Sequence, residues 1–187
     1  MKKITMILLL ALPCCLRAQV VEKMLKGVEM PISMELDGKN LELNGMGLRT
    51  KVVFKVYIAG LYLEKSSSDG MAIAASEQIK RIELVFLRSV NGPEVAEAIA
   101  KGFAANAGDA LPALKDRVAK FKTLIPDVKK GDKLVFIYRP GAGLEAQANG
   151  KTTGTIEGKD FADALFRVWL GEHPADKALK TGLLGFK

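Results

Sequence analysis

Residues 43–64 read LNGMGLRTKVVFKVYIAGLYLE, and no other segment says more about the chain. Gly45-Met46-Gly47 predicts a turn, Arg49 follows it, and β-branched and aromatic residues then dominate through Tyr62, as is typical of a half-buried strand. In the first part of that run, alternate residues from Val52 to Ile58 are apolar. The apolar positions change parity after Ile58, which predicts a bulge near Gly60.

Arg49 is the candidate binding residue in this segment. An arginine at the start of an apolar strand places a fixed positive charge beside an apolar surface, which suits an anionic or electron-rich ligand with an apolar body. The simpler alternative is that Arg49 pairs with an acid at the surface.

The first residues of the chain have the pattern of a secretory signal. Lys2 and Lys3 precede an apolar run at Ile4–Leu12 that is too short to span a bilayer, and a cleavage point follows Ala18. We therefore expect a signal peptide at residues 1–18, one domain at residues 19–187, and a periplasmic or secreted protein with no integral membrane segment.

Both cysteines, Cys14 and Cys15, fall inside the predicted signal, so the mature chain would have no disulfide and no thiolate chemistry. One of them could instead carry a lipid anchor, but Pro13 stands where a small residue is expected.

Charge and histidine content argue against two classes of function. The chain has a formal charge of +7, and its lysines are spread rather than clustered, so no nucleic-acid partner is predicted. His173 is the one histidine, and with no cysteine in the mature chain no metal site and no cofactor are predicted. His173, between Gly171 and Pro174, suits a structural role, with lone axial ligation of a haem as the alternative.

Turn and periodicity signals predict the remaining elements. Asp37-Gly38 and Asn149-Gly150 predict β-hairpins. Further strands are predicted at Lys80–Arg88 and Lys133–Arg139. Helices are predicted near residues 71–77, after Pro93, over Leu111–Leu124, from a cap at Asp160, and after Pro174. Groups of strands alternate with groups of helices, which favours an α+β domain with a mainly antiparallel sheet covered on one face by helices.

Four segments together resemble the chalcone isomerase superfamily, and in particular its bacterial, secreted chalcone isomerase-like members. They are Gly45–Arg49, Lys55–Glu64, Gly92-Pro93-Glu94, and the tail from Phe161-Ala162-Asp163-Ala164-Leu165 to Trp169-Leu170-Gly171-Glu172. The resemblance implies an open-faced β-sandwich, a large antiparallel sheet with a layer of helices on one face.

The resemblance also implies a site. Arg49 matches the arginine of the plant enzymes, which close a flavanone ring, and Tyr57 takes the position of their strand threonine. Their helical tyrosine, lysine and asparagine are replaced here by small apolar residues, and a hydroxyl-bearing position falls near Val168. The implied ligand-binding set is Arg49, Tyr57, Tyr62, Val95, Ala98, Gly102 and Val168, with no catalytic residue.

The loss of those polar groups decides between the activities within the superfamily. Stabilisation of developing charge is usually the largest catalytic term, so ring closure by the plant mechanism is not expected. Non-catalytic members bind fatty acids through an arginine and a tyrosine, and Arg49 with Tyr57 or Tyr62 could do the same. Core packing is the simpler interpretation of Val95, Ile99, Phe103 and Trp169.

Three hypotheses therefore remain open. The first is a non-catalytic periplasmic protein that binds a small apolar or amphipathic carboxylate. The second is an isomerase or intramolecular lyase of unknown substrate. The third is an envelope protein that binds a partner and has no small ligand.

Overall fold

The computed structural model describes residues 22–186, so the predicted signal peptide at residues 1–18 lies outside the described part. The strands are β1 (Glu22–Leu25), β2 (Val28–Pro31), β3 (Ser33–Leu36), β4 (Lys39–Lys51), β5 (Phe54–Leu63), β6 (Lys80–Phe86), β7 (Lys133–Arg139), β8 (Gly143–Ala148) and β9 (Lys151–Ile156). The helices are α1 (Gly70–Ala75), α2 (Gly92–Asn106), α3 (Leu111–Thr123), α4 (Lys159–Leu170) and α5 (Lys177–Leu183), with a 3-10 turn at Gly108–Ala110.

A seven-stranded antiparallel sheet forms the body of the protein. Its strands lie in sequence order from β3 to β9, so β6 is central and every connection joins neighbours. The predicted hairpins at Asp37-Gly38 and Asn149-Gly150 are confirmed, because Leu36 pairs with Lys39 and Ala148 pairs with Lys151. The predicted α+β class with a mainly antiparallel sheet is also confirmed.

The helices cover one face of this sheet and enclose the main core. Ile82, Leu84 and Phe86 of β6 point into it, as their alternation predicts, and α4 contributes Phe161 and Trp169. On the opposite face, the β1–β2 hairpin covers a smaller cluster that includes Met30 and Ile58. No helix within residues 22–186 is long and apolar enough to cross a membrane.

The turn predicted at Gly45-Met46-Gly47 is wrong, because these residues lie inside β4. Their glycines serve close packing instead. A Cβ on Gly45 would lie 2.2 Å from the Gly182 carbonyl oxygen, and one on Gly47 would lie 2.5 Å from that of Leu179. Both glycines therefore let α5 approach the backbone of β4.

The bulge predicted near Gly60 lies in the partner strand. The β4–β5 register shifts between Leu43 and Gly45 of β4, opposite Tyr62 and Leu61, and again between Arg49 and Thr50, while β5 itself stays regular through Gly60. Apolar residues occupy both parities of β5 because both of its faces are buried, Ile58 on one side and Ala59 on the other.

Two helix starts differ from their predictions. Helix α4 begins after Gly158, and the carboxylate of Asp160 pairs with Arg117 instead of capping the helix. Helix α5 begins after Asp176, two residues beyond Pro174, and the Asp176 side chain accepts a hydrogen bond from the Leu179 N–H. An aspartate at this position satisfies an N–H that the first turn leaves unpaired.

Candidate ligand-binding site

A cavity of about 380 Å³ opens between the β4–β5 hairpin, the end of β6 and the inner faces of α2 and α4. Ligand pockets typically measure about 300–1,000 Å³, so the volume suits one small ligand. The lining residues are Arg49, Lys51, Val52, Phe54, Val56, Tyr57, Leu84, Phe86, Arg88, Ser89, Val90, Glu94, Val95, Ala98, Ile99, Val168, Trp169 and Ala175.

Five of the seven residues implied by the family resemblance line this cavity: Arg49, Tyr57, Val95, Ala98 and Val168. Val95 and Val168 are almost fully buried, whereas Ala98 is exposed where α2 borders the opening.

Tyr62 and Gly102 lie elsewhere. Tyr62 is buried on the opposite face of the sheet, and its hydroxyl donates to the Pro31 carbonyl at 3.0 Å. Gly102 packs α2 against α4, since a Cβ there would lie 2.5 Å from Cγ1 of Val168. Neither side-chain position faces the cavity space.

Arg49 is held near the end of β4, directly across from Tyr57 of β5. Residues directly opposite in an antiparallel pair share a face, so the guanidinium and the phenol reach the same space. Nη1 of Arg49 donates to the Thr50 carbonyl at 2.8 Å and lies 3.4 Å from Oδ2 of Asp176. Among residues 22–186, every hydrogen bond of this guanidinium uses Nη1, which leaves Nε and Nη2 available to a ligand.

The simpler interpretation of Arg49 was that it pairs with an acid, and the structure pairs it with Asp176. The pair is partly buried, with side-chain exposures of 23% for Arg49 and 14% for Asp176. Burial alone would raise the pKa of Asp176, but backbone donors at Leu179 and Thr50 and the charge of Arg49 outweigh it, so this pKa is lowered. Asp176 stays ionised and fixes one end of the guanidinium.

Tyr57 is oriented by Trp169, whose Nε1 donates to the Tyr57 oxygen at 3.0 Å. The indole N–H can only donate, so the tyrosine oxygen is the acceptor and its own O–H remains to donate elsewhere. Burial raises the pKa of Tyr57, against the opposing effects of the Trp169 hydrogen bond and the Arg49 charge. The phenol therefore stays protonated and presents a donor beside Arg49.

The rest of the inner wall is apolar. Leu84 and Phe86 of β6 face Val95 and Ile99 of α2, and all four are buried. Two sets of donors at one end and hydrocarbon at the other suit a ligand with an acceptor head and an apolar body.

Several residues at the opening were not predicted as site residues. Phe54 and Arg88 border it, with the Arg88 guanidinium 4.7 Å from the centre of the Phe54 ring. Trp169 was interpreted as core from its helical spacing, and it is buried, but its indole nitrogen also faces Tyr57. No local sequence signal links Trp169 to a residue 112 positions earlier.

His173 lies away from the cavity. Its ring is exposed, and its backbone is tied to Asn106, which accepts from the His173 N–H at 3.0 Å. Within residues 22–186, no group of three or more His, Cys, Asp or Glu side chains is arranged to hold a metal ion.

The chain belongs to the chalcone isomerase-like family, whose pattern it matches over residues 22–185. No curated protein matches it significantly in sequence. Among solved structures it is similar to a fatty-acid binding protein of Arabidopsis thaliana, with a TM-score of 0.71 and 16% identity. That similarity covers 88% of this chain and 96% of the Arabidopsis chain, and at this identity it establishes the shared fold.

Proposed function

We propose that this protein is a non-catalytic, periplasmic or secreted binding protein for an amphipathic carboxylate of the fatty-acid type. The observation that carries the proposal is the pairing of Arg49 and Tyr57 at one end of an apolar cavity. A carboxylate would accept hydrogen bonds from Nε or Nη2 of Arg49 and from the Tyr57 hydroxyl. Its hydrocarbon chain would lie among Leu84, Val95 and Ile99.

The charges around the head position also favour an anion. Arg49, Arg88 and Lys51 border the cavity, and the acids nearby are Asp176 and Glu94. The two acids are already paired, Asp176 with Arg49 and Glu94 with Lys51 at 3.1 Å. One net positive charge remains to attract a carboxylate. The shared fold with a fatty-acid binding protein agrees with this ligand class.

Two alternatives fit the lining less well. General acid–base catalysis by an isomerase works best with a group that titrates near neutral pH. Besides its arginines, the lining holds Tyr57, whose pKa is raised, and Glu94 and Lys51, which are exposed and pair with each other. A partner-binding protein without a ligand would have a filled interior, whereas this fold encloses a cavity beside Arg49.

Native mass spectrometry with dodecanoate tests the proposal. The protein should retain one dodecanoate per chain, and Arg49→Met should weaken its affinity for dodecanoate by about tenfold or more, and so lower its occupancy at subsaturating ligand, since a hydrogen bond to a charged group contributes roughly 1.5–3 kcal/mol. Arg139→Met is the matched control, because Arg139 has a similar exposure of 26%, pairs with Asp37 and Glu145, and lies outside the cavity lining. Equal occupancy in both variants, or an empty wild-type protein, would refute the proposal.

A further inference from the structure

The β4–β5 hairpin ends in three exposed apolar residues at the opening of the cavity. Val52 and Val53 form the two-residue turn and Phe54 begins β5, with exposures of 89%, 77% and 57%. We call Val52, Val53 and Phe54 the apolar tip. Single exposed apolar residues are ordinary, but three in succession at the end of a projecting hairpin indicate a contact surface.

The turn keeps valine where glycine would fit better. Val52 has φ of 58°, a left-handed conformation that is rare for β-branched residues. In two-residue hairpins the first turn position with positive φ is usually glycine, asparagine or aspartate. The apolar side chain is therefore held at the surface at a cost in backbone strain, as happens at functional sites.

Basic side chains surround the apolar tip. Lys51 precedes it, Lys55 follows it, and Arg88 lies over the Phe54 ring. The acid at this place is Glu94, which pairs with Lys51, so the surroundings carry an excess of positive charge. Long basic side chains beside exposed apolar groups are typical of surfaces that enter the headgroup layer of a bilayer.

We propose that the apolar tip docks onto an anionic phospholipid bilayer, with Val52, Val53 and Phe54 in the headgroup layer and Lys51, Lys55 and Arg88 against lipid phosphates. Val52 and Phe54 also line the cavity, so docking would place its opening at the membrane surface. The inference rests on the proposed function to this extent: docking would let an amphipathic carboxylate pass between bilayer and cavity without crossing water.

A bilayer fits these residues better than a second copy of the chain does. Two identical tips would bring like charges together, and three side chains bury far less than the roughly 800 Å² per partner that a stable interface needs. An anionic bilayer supplies both the hydrocarbon and the opposite charge.

Vesicle flotation tests the proposal with four variants of the full chain, so that the segment before Glu22 is common to all of them. Val53→Asp and Lys55→Glu change the surface of the apolar tip and its surroundings without substituting a cavity-lining residue. The matched controls are Phe186→Asp and Lys65→Glu. Phe186 is 55% exposed and follows α5 near Asn44, in the middle of β4 and away from the apolar tip, and Lys65 follows the far end of β5.

The wild-type protein should bind vesicles of equal phosphatidylglycerol and phosphatidylcholine, bind pure phosphatidylcholine weakly, and lose affinity at high salt. Each basic side chain near such a surface contributes about fivefold, so Lys55→Glu should weaken binding more than tenfold. Val53→Asp should weaken it at least as much, because it removes a valine that would be buried in the headgroup layer on docking and adds a charge that the anionic lipids repel. The two control variants should bind like the wild type.

Equal binding by Val53→Asp and Phe186→Asp would overturn the proposal. So would self-association that Val53→Asp abolishes in sedimentation while vesicle binding is absent, because a second copy would then be the occupant. Dodecanoate binding measured without vesicles keeps the two proposals apart. Val53→Asp should retain it, and vesicle docking without dodecanoate binding would refute the proposed function alone.

Discussion

The hydrogen bond from Trp169 to Tyr57 determines what the phenol can offer a ligand. The two side chains lie on α4 and β5 and meet at 3.0 Å inside the cavity wall. Because the indole N–H occupies the tyrosine oxygen as an acceptor, the O–H is directed away from Trp169. In the proposed function, Tyr57 would act with Arg49 as a donor to a carboxylate head.

Substitution of this pair should show energetic coupling. Tyr57→Phe should lower the free energy of unfolding by about 1–3 kcal/mol, because it leaves the buried Trp169 N–H without an acceptor. Trp169→Phe should also destabilise, and the double variant should lose less than the sum of the two by roughly 1 kcal/mol. Urea denaturation of the three ligand-free variants measures the cycle, and additive losses would show that the hydrogen bond contributes nothing.

Backbone strain at Val52 gives a second residue-level prediction. A left-handed conformation costs a non-glycine residue about 1–2 kcal/mol, and glycine loses about 0.5–1 kcal/mol more chain entropy on folding. Val52→Gly should therefore stabilise the ligand-free protein by about 0.5–1 kcal/mol in urea denaturation. Val53→Gly is the control and should destabilise, since Val53 is not among the residues with positive φ. The reverse order would contradict a strained turn.

Strand β4 and helix α5 form one unit that positions Arg49, the arginine of the proposed ligand site. Gly45 and Gly47 let α5 approach the strand, and Asp176 at the start of α5 then reaches Arg49. The same aspartate accepts from the Thr50 N–H at 3.1 Å, so it binds the strand as well as the helix. The orientation of Arg49 thus depends on two glycines that contact no ligand.

Gly47→Ala tests this dependence. Its Cβ would meet the Leu179 backbone, which cannot move without shifting α5, so we expect a loss of about 1–3 kcal/mol in stability together with weaker dodecanoate binding. Glu42→Ala, at an exposed position of the same strand, should change stability by less than about 0.5 kcal/mol. A Gly47→Ala protein as stable as Glu42→Ala would mean that the close approach is dispensable.

Sequence patterns predicted elements whose signals are local. The Asp37-Gly38 and Asn149-Gly150 hairpins and the alternation of β6 were confirmed, because turn chemistry and facing residues are encoded within a few positions. Gly45 and Gly47 were misread as a turn because glycine serves both turns and close packing. Here the two glycines pack closely against α5, which lies more than 130 residues further along the chain, and no local pattern predicts that contact.

The site was only partly accessible from sequence for the same reason. Arg49 and Tyr57 lie on neighbouring strands and could be matched to the family, and five of the implied residues line the cavity. Tyr62 has the same residue type and strand as Tyr57 but lies on the other face, because the two residues are five positions apart and side chains along a strand alternate between its faces. The role of Trp169 depends on how α4 packs on the sheet.

At the scale of the whole molecule, a buried lysine links three elements around the core. The Lys80 ammonium donates to the carbonyls of Ala74 and Ser76 at the end of α1 and lies 3.5 Å from Asp163 of α4. Burial lowers the pKa of Lys80 from 10.5 to about 8, although Asp163 opposes this shift. Glu77 and Lys159 are the other charged groups that act on it.

Stability should therefore rise with pH in alkaline solution. Between pH 8 and 10 the unfolded chain keeps the Lys80 proton while the folded chain releases it. The unfolded state therefore binds more protons, and the free energy of unfolding increases with pH. The contribution of this group should reach about 2 kcal/mol across that window. Lys80→Met should flatten the pH dependence in urea denaturation. An unchanged slope in this variant would show that Lys80 is fully charged when folded.

The central claim is that Arg49 and Tyr57 recognise a carboxylate head at the end of an apolar cavity. Calorimetric titration with dodecanoate and with dodecanol tests it most directly, because the two ligands share a hydrocarbon chain and differ in the head. We expect the wild-type protein to prefer dodecanoate by at least tenfold and Arg49→Met to bind the two almost equally. Equal affinity in the wild-type protein, or a preference that survives Arg49→Met, would contradict the account.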